Sequence, residues 1–464
     1  MDLTRLSIVA ARRGLSQRQF SCLDYSEALL AQAQGKRNLN SLIFQDGEAL
    51  RRAARAFDNA PSEAPLAGIP LILKDNIDVA GLATTAGTGK LRTNIAPAHA
   101  TIAQRLFNAG ALLAGKANMH ELAMGITNNN GVFGACRNPH HPDHSPGGSS
   151  GGCGSALAAF LAPGAIGTDT GGSVRLPAAL CGVVGLRPSI QRYPQSGIAP
   201  ISHTRDTAGP MARSVEDVAL LDSILSGEAG GANFAPTPPE RLRLGVLRQD
   251  CWQNLDSETA RICEAALVKL ADAGITLIDV KLDRLAALNQ VIGFPIALYE
   301  LVRDLPAYLQ ENGNAMTLAE LAEGIGSPDV AEIFRNLMAH GVIDADYAQA
   351  LQARQELQRL YQDCFQAQHL DALIFPTSPL IAQPIGVDDS MMLNGAMVPV
   401  FSSFIRNTEP ASNAGIPGIS LPAGYSPTGL PVGLELDGPY HGDRALLATA
   451  ATIEAILGVV VGIT

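Results

Sequence analysis

The chain reads as apolar runs of strand length separated by longer stretches with helical spacing. Residues 67–74, Ala-Gly-Ile-Pro-Leu-Ile-Leu-Lys, form one such run, closed by a lysine. A helical stretch over 102–109 leads into a second strand at 111–115, and another over 154–161 leads to a short strand at Ala165-Ile166. Strand, helix and strand recur at 242–247, 257–273 and 276–280, and further buried strands are predicted at 371–375 and 419–422. Residues 25–57 carry helix formers, with Leu29-Leu30 and Leu42-Ile43 as core-facing pairs, and 286–368 is mainly helical. Continuous apolar strands alternating with helices predict an α/β fold, a central sheet covered by helices on both faces.

Two segments break this rhythm. Residues 127–152 crowd Asn, Gly, Pro, His and Ser with little periodicity and read as loop. Residues 226–239, rich in Gly, Ala and Pro, read as a linker.

Composition narrows the class. Apolar residues make up 47% and charged residues 17%, against a usual charged share of about 25%, so the chain is compact and largely buried. The net charge of −11, without a basic run, makes the chain a poor candidate for gripping nucleic-acid phosphates or anionic membranes. Seven cysteines, an odd number with no C-x-x-C pair, read as buried hydrophobes in a reducing compartment. The N-terminus lacks a secretory pattern, and the apolar runs at 156–162 and 456–463 are too short to span a bilayer. A soluble cytoplasmic protein is the expectation.

Three motifs lead nowhere. Gly147-Gly148-Ser149-Ser150-Gly151 matches a G-x-S-x-G elbow, but that turn needs a strand before its serine and residues 138–146 cannot form one. His140, His141, Asp143 and His144 lack a matching downstream ligand pair and read as a solvated loop. Gly87-Thr88-Gly89-Lys90 misses the spacing of a phosphate loop.

Three other residues carry more. Ser149 sits in a Gly-flanked loop and Ser173 follows Thr170-Gly171-Gly172 at a strand end. Glycines beside a serine let several backbone N–H groups converge on one point, as an oxyanion requires. The same residues also fit a helix start with a serine N-cap. Lys74 closes an apolar run; desolvation there lowers its pKa toward that of a usable base. In an extended strand Asp75 points to the opposite face and need not touch it. Taken alone, Lys74 also fits a snorkelling surface charge.

Ser145-Pro146-Gly147-Gly148-Ser149-Ser150-Gly151-Gly152, the stretch from Gly167 to Arg175, Pro177-Ala178-Ala179 and Gly182 together resemble the amidase signature family. The 24-residue spacing between Ser149 and Ser173 and the upstream Ile-Leu-Lys-Asp run agree with it. The resemblance implies a mixed central sheet in a single domain over 1–464. Within it lie a helical region over 1–60, a catalytic core over 61–225 and a C-terminal part over 240–464 with a helical insertion at 286–368. It also implies a Ser-Ser-Lys triad. Ser173 is the nucleophile, Ser149 the bridging serine behind a cis peptide bond, and Lys74 the base. The backbone N–H groups of Thr170, Gly171, Gly172 and Ser173 form the oxyanion hole. No metal or organic cofactor is implied; the partner is a small-molecule amide, and a homodimer is allowed.

Segments 118–127, 202–211 and 404–410 look like those of arylacetamide-type members. This implies hydrolysis of a small aryl-substituted primary amide such as indole-3-acetamide or mandelamide, with Ala123, Met124, Gly125 and Ile126 lining the acyl pocket. The alternative within the family is the glutamine-hydrolysing subunit of an aminoacyl-tRNA amidotransferase, which places an arginine near 350–360. Here the best register puts Glu356 there, with Arg354 close by. A non-catalytic binding subunit is the alternative of another class, and the intact Lys74, Ser149 and Ser173 argue against it.

Overall fold

A computed structural model of the protein describes residues 1–228 and 235–459. Of the sequence-predicted linker, 229–234 lie outside the described residues, as do 460–463 of the C-terminal apolar run. In chain order the strands are β1 (Leu42–Phe44), β2 (Pro70–Lys74), β3 (Leu112–Ala117), β4 (Gly164–Asp169), β5 (Val184–Arg187), β6 (Thr207–Ala212), β7 (Arg243–Val246), β8 (Thr276–Asp279), β9 (Ala372–Pro376), β10 (Ser390–Leu393), β11 (Ala396–Pro399), β12 (Gly418–Tyr425) and β13 (Pro431–Asp437). Eleven of them form one sheet in the order β1-β3-β2-β4-β6-β5-β12-β13-β9-β7-β8, and β10 and β11 make a separate hairpin. The sheet is mixed: β2 runs parallel to β3 and β4, whereas β4 to β6 and β5 to β12 are antiparallel. The central strands β2, β4, β5 and β6 are buried along their whole length. That is why they read as unbroken apolar and small-residue runs rather than as alternation.

Strands from before and after the linker share this sheet through the β5–β12 pairing. Residues 25–57 differ from expectation. Two helices, Cys22–Gly35 and Gly47–Asn59, flank β1, which pairs with β3 at the sheet edge. Leu42 and Ile43 thus lie on a strand of three residues, too short to show a period of two.

The helical insertion holds the long helix Leu285–Glu311. By length and composition it could cross a membrane, yet 44% of its most apolar window is buried within the protein. Its buried Glu300 accepts hydrogen bonds from the Ser202 and Thr204 hydroxyls, and Tyr308 Oη donates to Asp78 at 2.7 Å. These contacts dock the insertion on the half of the sheet that carries Lys74.

Candidate active site

Lys74 is the last residue of β2, between β3 and β4, and is fully buried. The parallel register of β2 on β4, with Leu73 opposite Ile166, brings the C-terminal ends of both strands together. There Lys74 Nζ donates to Thr168 Oγ1 at 2.8 Å and stands 2.7 Å from Ser149 Oγ. Burial pushes the Lys74 amine down to about 7, against the smaller opposing pull of Cys153, Asp169 and Asp206. Asp75 does not neutralise it. Its carboxylate turns to Lys116 Nζ, 2.9 Å away and equally buried, and also accepts from the Thr85 hydroxyl. The alternation of side chains along an extended strand therefore separates the two neighbours as expected.

No strand precedes Ser149, and its peptide bond to Gly148 is cis. The next residue, Ser150, fastens this loop to β4: its hydroxyl donates to the Thr168 carbonyl at 3.1 Å and accepts from the Thr168 amide at 3.2 Å. The Ser150 amide donates to the carbonyl of Ser173 at 3.1 Å, so the two serine loops are tied directly together. The helix Gly151–Ala158 follows at once. A Cβ on Gly152 would stand 2.2 Å from the Asn118 carbonyl oxygen, so a side chain there would force the loop off the sheet.

Ser173 lies beyond β4 on a turn organised by Asp169. This buried carboxylate accepts from the amides of Gly172 (2.9 Å) and Val174 (3.1 Å) and pairs with Arg175 and Arg187, each at 3.0 Å. Burial opposes its ionisation, but the two guanidinium groups outweigh that and hold the carboxyl well below its usual range. The N–H of Gly172 is thus engaged in holding the turn. This departs from the expectation of four amides facing one oxyanion. The amides of Thr170, Gly171 and Ser173 have no acceptor among the described residues. Thr170 Oγ1 donates to Asp206 at 2.6 Å. Ser173 is no helix cap either, because Val174 precedes the helix Arg175–Cys181.

Ser173 opens onto a cleft. Thr170 and Gly171 line it from the turn, and Ala123, Met124, Gly125 and Ile126 from the facing segment. Leu122 and Ala123 are both left-handed, with φ of 52° and 58°, which curls that segment toward the turn. The rest of the wall was not singled out from the sequence. Arg205, Ile405 and Glu409 come from segments whose family resemblance is visible without showing which side chains face inward, and Ile201 precedes one of them. Phe294, Ala297, Leu298 and Ile333 come from the helical insertion, and Phe401 from the helix after β11. The wall also holds one arginine, Arg205. Its charge is matched by Glu409, 3.3 Å away.

Neither residue weighed for a glutamine carboxylate reaches the cleft. Arg354 donates to the Asn413 carbonyl at 2.9 Å and to Thr204 Oγ1 at 2.7 Å, and Glu356 pairs with Arg284 at the surface. In the 138–146 loop, His140 Nε2 lies 3.0 Å from the Cys181 carbonyl oxygen, while His141 and His144 face each other.

The family model described as Amidase matches residues 24–447. Indoleacetamide hydrolase of Rhizobium radiobacter is 42% identical over 455 residues, 97% of each chain. Mandelamide hydrolase of Pseudomonas putida is 41% identical over 485 residues, covering 99% of this chain and 92% of that one. Among solved structures, an amidase superposes with a TM-score of 0.87 at 33% identity, covering 97% of this chain and 99% of its own. The native peptide amidase from Stenotrophomonas maltophilia gives 0.82 at 29% identity, covering 97% and 96%. The chain belongs to the amidase family and is an amide-hydrolysing enzyme.

Proposed function

We propose that this enzyme hydrolyses a small, aryl-substituted primary amide to a carboxylic acid and ammonia through a Ser-Ser-Lys acyl-enzyme. The observation that carries the reading is the buried Lys74 amine 2.7 Å from Ser149, without a carboxylate partner, beneath an apolar cleft that holds Ser173. Neutral Lys74 takes a proton from Ser149 as Ser149 takes one from Ser173, whose Oγ bonds to the amide carbon. The amides of Thr170, Gly171 and Ser173 hold the oxyanion. Each such donor contributes about 10²–10³ in rate. On collapse the C–N bond breaks and the relay returns the proton to nitrogen, releasing ammonia. Water then attacks the acyl ester by the same route, freeing the acid and Ser173.

Phe294, Phe401 and Met124 in the wall support an aromatic acyl group, since rings and a thioether pack well against a flat face. The names of the two hydrolases above, each about two-fifths identical over nearly the whole chain, support it independently. The reading includes a single domain over 1–464 and a cytoplasmic location, for which the seven unbridged cysteines speak. A homodimer is the assembly to look for. Ammonia release from phenylacetamide, indole-3-acetamide, mandelamide and glutamine tests the proposal. The expected result is a kcat/KM for the aryl amides at least about 10²-fold above that for glutamine, because no unmatched cation awaits the α-carboxylate. A preference for glutamine, or release only with added subunits, would move the assignment to the amidotransferase.

A further inference from the structure

Apart from Thr170 and Ser173 on the turn, the cleft has polar side chains only at one ion pair. Arg205 is only 3% exposed; its Nη1 donates to the Gly293 carbonyl at 2.6 Å and its Nη2 to Glu409 Oε1 at 3.3 Å. Glu409 Oε2 accepts from Asn289 Nδ2 at 2.9 Å. These are its two side-chain donors among the described residues, on a carboxylate that can accept about four. The carboxylate is rigidly placed. Thr408 before it is bonded to the Gly171 carbonyl, on the same turn as Ser173. On the other side the helix Leu285–Glu311 approaches closely enough that a Cβ on Gly293 would meet Oε1 at 2.3 Å.

We infer that Glu409 is a specificity residue: its free lone pairs accept a hydrogen bond from a donor on the acyl group, a ring N–H or a hydroxyl, once the ring occupies the cleft. The inference rests on the aryl-amide reading above and names which aryl amides the site favours. A carboxylate bordering an apolar cleft loses water when a ring enters. A ring bearing an N–H restores the lost partner through a charge-assisted bond, and a ring without one leaves the oxygen short of it. The same charge discourages a carboxylate on the substrate, because Arg205 already has its counter-ion.

The test compares indole-3-acetamide with benzothiophene-3-acetamide, in which sulfur replaces the N–H at nearly the same shape, in the wild type, Glu409→Ala and Glu409→Gln. In the wild type kcat/KM for the indole is expected to exceed that for the benzothiophene by at least about tenfold, the size of one hydrogen bond to a charged group. In Glu409→Ala the ratio falls to within about threefold of unity, with the loss on the indole side. A structural role for Glu409 would instead depress both substrates alike and keep the ratio. If melting curves show that the alanine variant does not fold, Glu409→Gln decides. It keeps the side-chain shape without the charge, and its ratio is expected to drop by at least about threefold. A wild-type ratio near unity, or a ratio unchanged in the variants, overturns the inference while leaving the aryl-amide reading intact. Hydrolysis of neither amide overturns both.

Discussion

Thr408 Oγ1 donates to the Gly171 carbonyl at 2.8 Å, joining residues 237 positions apart in the chain. The other end of the same peptide unit, the Gly172 N–H, donates to Asp169 at 2.9 Å. The Gly171–Gly172 peptide is therefore pinned from both sides, and that orients the turn carrying Ser173. Preorganised donors lower a barrier only if they need not move when charge develops, so the pinning bears directly on rate.

Gly172 has a φ of 130°, and a Cβ there would stand 2.1 Å from Thr408 Oγ1. Gly172→Ala is expected to lower kcat at least about 10²-fold, the effect of losing one aligned oxyanion donor. Thr408→Ala, which frees only the carbonyl, should cost about tenfold. Steady-state rates on the best amide, with melting curves beside them, check both. Wild-type activity in Gly172→Ala would show that the turn is not held rigid.

Asp169 is buried between two guanidinium groups. Asp169→Asn leaves Arg175 and Arg187 partly uncompensated, and breaking a buried pair this way costs about 3–5 kcal/mol. Denaturant titration should find that loss together with reduced turnover. A variant as stable as the wild type would mean that Glu435, 2.5 Å from Arg175, carries the balance alone.

Lys74 sets a pH dependence whose sign follows from its lowered pKa of about 7. As a base it must be neutral, so log kcat/KM should fall by one unit per pH unit as pH drops below about 7 and level off above it. Stability moves the same way. Between pH 7 and the ordinary value of 10.5 the unfolded chain binds the proton and the folded one does not, so stability rises with pH across that window. Lys74→Met removes this penalty. It should abolish turnover yet melt no lower than the wild type at pH 7, with any advantage shrinking toward pH 10. A lower melting temperature throughout would mean that Lys74 is charged in the folded enzyme.

Ser173→Ala removes one hydroxyl from a turn held by backbone and Asp169 contacts, so the fold should persist while activity drops at least about 10³-fold. A serine-directed phosphonate should label the wild type at Ser173 and leave the variant unmodified. Equal labelling would transfer the nucleophilic role to Ser149.

The amino-acid sequence by itself determined the parts of this enzyme that local chemistry dictates. A fully buried strand is apolar along nearly its whole length, so β2 and the lysine that ends it were legible in the sequence. The glycines around Ser149 and Ser173 were equally visible, because a backbone on which a Cβ would stand 2.2 Å from a carbonyl oxygen, or which adopts a φ of 130°, leaves little choice of residue. Tertiary structure decided what depends on long-range approach. β1 is made a strand by β3, not by its three residues. Asp75, turned from Lys74 by the strand, finds its partner in Lys116 on the next strand, and the Gly172 amide is engaged by Asp169. Phe294 and Ile333 enter the cleft from helices whose spacing shows an apolar face but not what it faces. Arg205 and Glu409 neutralise each other across 204 residues of chain. Periodicity reports how a segment meets its surroundings. It does not report which distant segment those surroundings are, and the shape and charge of this cleft are set by that choice of neighbours.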